Sequence, residues 1–301
     1  MPLFNAEKWV EESIQSVIRQ TYTNWELIIV DDGSLDNSLI IAEKMAKSDS
    51  RIKIYSQLNQ GACAARNKAF KLSKGEFIQY LDADDLICSK KIELQLKKFR
   101  NLNDENAILS CSWQKFQKKI GDINHDKSNL DKSYSKPIEW LVDSWLYGGH
   151  GVVMMWLTPR KLIAESSGWD ESLIVNQDGD FFCRILVKAS QILFVPQIRV
   201  YYRMDNPNSV SQSKNTMEKA SSLLKSYDNY SNYLNNYKGN DARVQTALAA
   251  NYIKFISANF KFKQLKQEAR ESLIKLPLAN KKIIVRKWLH PIALIIGLDN
   301  Y

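Results

Sequence analysis

The stretch Leu27-Ile28-Ile29-Val30-Asp31-Asp32-Gly33-Ser34 runs four apolar residues straight into two carboxylates and a turn. A short continuous apolar run of this kind is expected of a strand buried on both faces, as in a parallel sheet. Patterns of helical spacing flank it. Upstream, Val10, Ile14, Val17 and Ile18 form one apolar face of a helix opening after Asn5, a suitable N-cap. Downstream, Leu35, Leu39, Ala42 and Met45 repeat that spacing. The alternation continues with a strand at 52–55, an Ala-rich helix at 61–73, a strand at 77–81 and a helix at 90–99. Alternating strands and helices predict an α/β fold, with a mostly parallel central sheet flanked by helices and joined by right-handed crossovers. Only Met1-Pro2-Leu3-Phe4 stands ahead of the first helix, so the first strand of that sheet is expected to be largely absent.

Beyond residue 103 the pattern loosens. Residues 107–113 read as a strand, followed to residue 136 by a polar, mobile loop rich in Asn, Asp, Lys and Ser. Further strands are expected at 152–157 and 192–203, with a helix at 178–189 between them. From about residue 215 the spacing is helical throughout, which predicts a helical C-terminal extension.

At 301 residues, 45% hydrophobic and 25% charged, the chain has ordinary globular composition and length enough to bury a sizeable core. Its net charge of +9 suits nucleic acid, anionic membrane or a phosphate-bearing substrate, and charge alone does not choose among them. The four cysteines, Cys63, Cys88, Cys111 and Cys183, form no CxxC pair and read as reduced core residues. Three histidines, none in a ligand-like pair, argue against a zinc site. The first residues lack the basic and apolar regions of a signal peptide, and no apolar run reaches membrane-spanning length. A cytoplasmic protein is the expectation.

The carboxylates carry the chemistry. Asp31-Asp32-Gly33-Ser34 and Asp82-Ala83-Asp84-Asp85 each follow directly on an expected strand, and ligands of open α/β sheets bind at the carboxyl ends of the strands. Either cluster alone also reads as a turn, because Asp-Gly and Asp-Asp are common there. Alternate residues of an extended segment point the same way, so Asp82 and Asp84 can address one ligand together. Mg²⁺ or Mn²⁺ takes one or two carboxylates and fills its other positions with phosphate and water. Arg66, in Gly61-Ala62-Cys63-Ala64-Ala65-Arg66-Asn67, reads either as a bidentate phosphate contact or as a solvated helix residue.

Taken together, these residues resemble the family 2 glycosyltransferases, which have the GT-A fold. The likeness runs through Pro2-Leu3-Phe4-Asn5, Gln20-Thr21-Tyr22, residues 26–34, Asn59-Gln60-Gly61 to Arg66-Asn67 and Asp82-Ala83-Asp84-Asp85. It continues more loosely in Gly168-Trp169-Asp170-Glu171 and Gln177-Asp178-Gly179-Asp180-Phe181-Phe182. The resemblance implies that Pro2 and Phe4 border a nucleobase, that Asp32 accepts from it and that Asp31 lies near the nucleoside. It implies a DxD pair in which Asp84 is the main ligand of Mn²⁺ or Mg²⁺ and Asp82 faces ribose or metal. Asp178 matches the family's catalytic base, and a carboxylate within hydrogen-bond reach of an acceptor hydroxyl makes chemical sense there. Its plain alternative is a carboxylate favoured by the dipole at a helix N-terminus. Asp180 and Trp169 would then be acceptor-side or structural. The implied organisation is a nucleotide-sugar-binding half at 1–105, an acceptor-binding half at 106–210 and the helical extension at 211–301.

Three further features have two readings each. His150, in Gly148-Gly149-His150-Gly151, either touches the acceptor or is a plain loop histidine. Residues 281–296 mix basic and apolar side chains around Trp288, suiting either the inner membrane surface or a helix packed on the protein itself. Tyr227, Tyr230, Tyr233 and Tyr237 form a helical stripe, and no RNA-binding motif accompanies them. The expected activity is inverting, metal-assisted transfer from a nucleotide-diphosphate sugar, with UDP as the expected nucleotide, to a saccharide acceptor that is lipid-linked in one reading. Surface polysaccharide or glycoconjugate synthesis would use it. The rivals are a catalytically impaired sugar-nucleotide-binding scaffold and a nucleotidyltransferase, which would want a Gly-rich phosphate loop near the N-terminus that this sequence lacks.

Overall fold

A computed structural model describes residues 1–100, 102, 104–123, 128–206, 214–235, 237, 241–259 and 261–277. The apolar run that opens the sequence reading forms β2 (Leu27–Asp31), all five residues buried. On one side it pairs in parallel with β1 (Pro2–Leu3) and on the other with β3 (Ile52–Ser56). The first strand is therefore short, as expected, yet it is paired. Met1 continues the ladder, its terminal nitrogen donating to the Ile28 carbonyl at 2.8 Å and its carbonyl accepting from Val30 N–H at 3.0 Å. Helices α1 (Val10–Ile18), α2 (Ser38–Ser48) and α3 (Ala62–Leu72) connect and flank these strands. Val10, Ile14 and Val17 face the core as their spacing predicts, but α1 opens after Trp9 and not after Asn5, which has a positive φ of 46°, and Leu35 lies ahead of α2 and is exposed.

The next strand departs from expectation. The run 77–81 pairs only as β4 (Phe77–Ile78), antiparallel to β7 (Thr158–Pro159). Gln79 explains the interruption, because its side-chain amide donates to the carbonyls of Met154 (3.0 Å) and Tyr80 (2.6 Å). Its oxygen accepts from the fully buried Lys91 ammonium. A polar side chain thus satisfies backbone groups that a ladder would otherwise pair. β5 (Leu86–Ile87) and α4 (Lys91–Arg100) follow.

The second half is built on β6 (Ile108–Phe116) and β8 (Ile192–Arg203), which run in parallel with an irregularity between Cys111 and Ser112; β5 lies antiparallel on the other edge of β8. The sheet is thus mixed rather than uniformly parallel. The expected strand at 152–157 is not one. Residues Val153–Met155 form a 3-10 turn, and Leu157 makes an isolated bridge to Leu109. Val152 through Leu157 are all buried, so the apolar run records burial and not extended pairing. α5 (Pro137–Tyr147) was not anticipated, although Pro137 sits in its first turn and Ile138, Leu141, Val142 and Trp145 line its buried face. α6 (Arg160–Glu165) and α7 (Gln177–Lys188) precede β8. α8 (Met217–Asn235), α9 (Ala242–Ala258) and α10 (Lys263–Lys275) make the C-terminal part helical. These helices share the main core, through Leu224 and Tyr230 of α8 and Leu248, Tyr252 and Phe255 of α9.

A cleft of about 700 Å³ opens beside the start of β2 (Leu27, Ile28) and β4, away from the carboxyl ends where Asp31 and Asp82 lie. A smaller cavity, about 220 Å³, lies between α5, α7, α8 and α9.

Candidate active site

The strand ends carry the acidic clusters, as read from the sequence. Asp31 and Asp32 end β2 and are both buried, but they do different things. Asp32 is fully engaged inside the protein: Oδ1 accepts from Gln57 Nε2 (2.8 Å) and Gln60 N–H (2.9 Å), and Oδ2 from Gly61 N–H (2.8 Å). It fixes the turn into α3, where Gly61 has a positive φ of 91° that suits glycine. Asp31 accepts from Ser34 N–H at 3.3 Å through Oδ2, while its Oδ1 is buried with no partner among the described residues. Both oxygens of Asp32 thus have internal partners, whereas Asp31 Oδ1 has none among the described residues. Phe4, next to these carboxylates in the fold, leaves 48% of its surface exposed, and Pro2 is half-buried.

Asp82 and Asp84 follow β4. Arg66 of α3 binds Asp82 Oδ1 at 2.7 Å and donates to Gln177 Oε1 at 3.2 Å, with its guanidinium 4.5 Å above the Trp169 ring. Only 7% of Arg66 is exposed. One buried guanidinium therefore joins the Asp82 loop to the first residue of α7, the neighbour of Asp178. This arrangement corrects the picture of Arg66 as a solvated helix residue. Asp84 Oδ2 accepts from Asn206 at 2.7 Å, and Arg203 donates to the Asp84 carbonyl (2.7 Å) and, through its own N–H, to buried Asp85 (2.9 Å). Burial raises the Asp84 and Asp85 carboxyls above their ordinary range, and the neighbouring acidic charges push the same way.

Among the described residues no group of three or more His, Cys, Asp or Glu forms a metal cage. The donor set still fits a particular kind of ion. Two carboxylates in a partly dry, mutually repelling cluster supply hard oxygen ligands, and a cation would relieve the strain that raises Asp84. Mg²⁺ and Mn²⁺ are commonly held by one or two carboxylates plus substrate phosphate, so Asp82 and Asp84 suit such an ion.

Asp178 stands in the first turn of α7, which opens after Asn176 in the left-handed conformation (φ 57°). Burial raises its carboxyl and Asp82 adds to the rise, while Gly179 N–H and Arg66 oppose it. Gly179 is needed here. A methyl group on it would collide with Asn176 Oδ1 and Tyr230 Oη, and Asn176 Nδ2 itself donates to Tyr230 Oη at 2.6 Å. Asp178 lines the 220 Å³ cavity, together with His150. The ring of His150 lies 4.7 Å from that of Trp113; partial desolvation lowers its pKa and the Asp178 charge pulls it back up.

The remaining expected residues sit apart from that cavity. Asp180 is fully buried, paired with Arg184 (2.8 Å) and accepting from Asn229 (2.8 Å) and Tyr233 (3.3 Å). Trp169 is buried and stacked on Phe181, centroids 4.1 Å apart. Neither lines the cavity. Residues 281–296 lie outside the described residues. The supporting contacts escaped the sequence reading, although Asn67 and Gln177 stood in its motifs. Asn67 clasps the Trp169 backbone from both sides (2.9 and 2.8 Å), and Gln177, Arg203 and Asn206 complete the carboxylate neighbourhood. They are long-range partners, which local spacing does not reveal.

The fold is of the GT-A glycosyltransferase type, as its likeness to solved structures of that fold shows. The chain belongs to glycosyl transferase family 2, whose model matches residues 1–155. The UDP-Glc:alpha-D-GlcNAc-diphosphoundecaprenol beta-1,3-glucosyltransferase WfgD of Escherichia coli is 45% identical over 97 residues, 32% of this chain and 38% of that protein. S. aureus TarS 1–349 in complex with UDP-GlcNAc is similar with a TM-score of 0.73 at 17% identity, covering 92% of this chain and 80% of that one. The mannosyltransferase PcManGT of Pyrobaculum calidifontis, in complex with GDP-Man and Mn²⁺, gives a TM-score of 0.60 at 15% identity, over 100% of this chain and 79% of that one. At these identities the two structures bear on fold. Against its curated relatives the chain spans between 16% and 68% of their length. Among the described residues no helix is long and apolar enough to cross a membrane.

Proposed function

We propose that this chain transfers a sugar from a nucleotide-diphosphate sugar, UDP-linked, to an acceptor hydroxyl with inversion, in surface polysaccharide or glycoconjugate assembly. The observation that carries the reading is the Arg66 bridge, which puts the Asp82 loop and the Asp178 helix on one guanidinium. Residues 1–105 would hold the donor and 106–210 the acceptor, with 211–301 as a helical extension. Phe4 and Pro2 would border the nucleobase, Asp32 would accept from it and Asp31 would lie near the nucleoside, with Phe4 exposed enough to stack. A divalent cation held by Asp84 and Asp82 would neutralise the diphosphate and ease its departure.

Asp178 would take the proton from the acceptor hydroxyl as that oxygen attacks the anomeric carbon. The bond from that carbon to the diphosphate oxygen breaks, and the configuration inverts. A carboxyl raised by burial is a stronger base, which suits the step. The Mn²⁺ complex of the mannosyltransferase and the lipid-linked substrate in the name of WfgD support a metal and a lipid-linked acceptor here. Such an acceptor would bring the protein to the inner face of the membrane.

Calorimetric titration of UDP with and without Mn²⁺ tests the donor site. Mn²⁺ is expected to tighten UDP binding at least about tenfold in the wild type and to have no effect in Asp84→Ala. Equal UDP affinity with and without metal in the wild type would remove the metal role of Asp84.

A further inference from the structure

The loop that carries Asp82 and Asp84 lies between two short strands and belongs to neither. β4 ends at Ile78 and β5 begins at Leu86, so no ladder holds the residues between them. Within the acidic stretch the Asp82 carbonyl accepts from Asp85 N–H at 3.3 Å. The other ties come from far along the chain. Ser13 Oγ donates to the Ala83 carbonyl (2.9 Å), Arg203 Nε to the Asp84 carbonyl (2.7 Å) and Arg203 N–H to the Asp85 carboxylate (2.9 Å). β8 delivers Arg203 to this place by register. Leu86 stands opposite Tyr201 and Ile87 opposite Val200 in an antiparallel pair, and the same register carried onward sets Arg203 against Asp84.

The Arg203 side chain is buried, its guanidinium 4.4 Å above the Phe116 ring. Its remaining donors go to Glu12 (2.5 Å) and the Gln117 carbonyl (3.5 Å), with Asp205 at 3.9 Å. Arg203 therefore grips the backbone at Asp84 and makes no hydrogen bond to that residue's carboxylate. The carboxylate is met instead by Asn206, three residues past Arg203, whose Nδ2 donates to Oδ2 at 2.7 Å. The bond to the Asp84 carbonyl is enough to place the loop, whereas the bond to the carboxylate also fixes how the side chain is turned. A metal ligand needs that second constraint, because the partners of a ligand set its direction toward the ion. An amide supplies it without bringing a positive charge to compete with the ion.

We propose that Arg203 and Asn206 are positioning residues of the divalent-cation site, Arg203 setting the backbone at Asp84 and Asn206 the orientation of its carboxylate. The assignment rests on Asp84 being a ligand of that cation in the transferase reading. It makes the end of β8 a support for ligands that stand more than a hundred residues earlier in the chain.

The test uses the full chain and two variants. Asn206→Leu keeps the bulk of the side chain and deletes the donor, and Arg203→Lys trades the planar fork for a single point charge. Three quantities are read: Mn²⁺ affinity with UDP present, from the paramagnetic resonance signal of free Mn²⁺; UDP affinity without metal, by calorimetry; and the melting temperature. Asn206→Leu is expected to fold and to bind Mn²⁺ about 10–100-fold more weakly, with metal-free UDP affinity within about twofold of the wild type. Arg203→Lys is expected to weaken Mn²⁺ binding in the same direction; if so buried a change prevents folding, Asn206→Leu decides by itself. Wild-type Mn²⁺ affinity in folded Asn206→Leu would overturn the proposal. An equal loss of metal-free UDP affinity would overturn it too, since that marks a general loosening of the site. A wild type that binds UDP but no Mn²⁺ refutes the metal reading and the proposal with it. A wild type and an Asn206→Leu variant that both bind Mn²⁺ tightly refute the positioning role and leave the metal reading standing.

Discussion

Asp178 and Gly179 stand side by side and make separate demands on the same helix turn. The carboxyl of Asp178 is raised by burial and needs to be ionised to act as a base, so activity should fall as pH drops through a pKa above the ordinary 3.8. The pH dependence of kcat/KM checks this, and an acid limb at or below the ordinary carboxylate value would contradict it. At Gly179 the side chain must be absent, since Asn176 and Tyr230 fill the space a methyl would take. Gly179→Ala is expected to cost roughly 1–3 kcal/mol in urea denaturation, as overpacking of a filled site does. Both residues were legible as a motif in sequence, and the carboxylates at strand ends were legible from chemistry alone. The division of labour between Asp31 and Asp32 was not. It depends on Gln57, Gln60 and Gly61 folding back to occupy Asp32, and no local pattern encodes that.

Helix α7 shows how elements hold these residues in place. Its first residue is tied to α3 by Arg66 and Gln177, and its first turn is tied to α8 by Asp180 with Asn229 and Tyr233. Asp180 also pairs with Arg184 one turn on, and Arg184 reaches back to the carbonyls of Ser166 and Gly168. Removing one partner of a buried pair leaves the other charge uncompensated, so Asp180→Ala is expected to destabilise the protein by about 3–5 kcal/mol, measured by chemical denaturation. A change within about 0.5 kcal/mol would show that the network does not anchor α7. Helical and buried parallel elements were readable from their periods, as α1, α2 and β2 illustrate. The failures have a common cause. In the run 77–81 a glutamine satisfies the backbone, and in 152–157 continuous burial mimics a strand, so apolarity alone misassigned both.

Over the whole molecule, short strands at the front and a mixed sheet behind are joined through one core that the C-terminal helices also enter. That continuity is why the cavity at Asp178 draws its walls from α5, α7, α8 and α9, and why no single stretch of sequence announced it. The same continuity brings the Asp82 and Asp178 carboxylates under the influence of one guanidinium, so that Asp82 and Arg66 each act on Asp178. Turnover of a nucleotide-sugar with Asp178 as the base is the proposal on which the rest depends. Its most direct test is the release of UDP from a panel of UDP-sugars in the presence of Mn²⁺, by the wild type and by Asp178→Asn, with UDP affinity measured in parallel. The wild type is expected to consume at least one donor, and Asp178→Asn to do so about 10²–10⁴-fold more slowly while still binding UDP. An Asp178→Asn protein that releases UDP at the wild-type rate would contradict it.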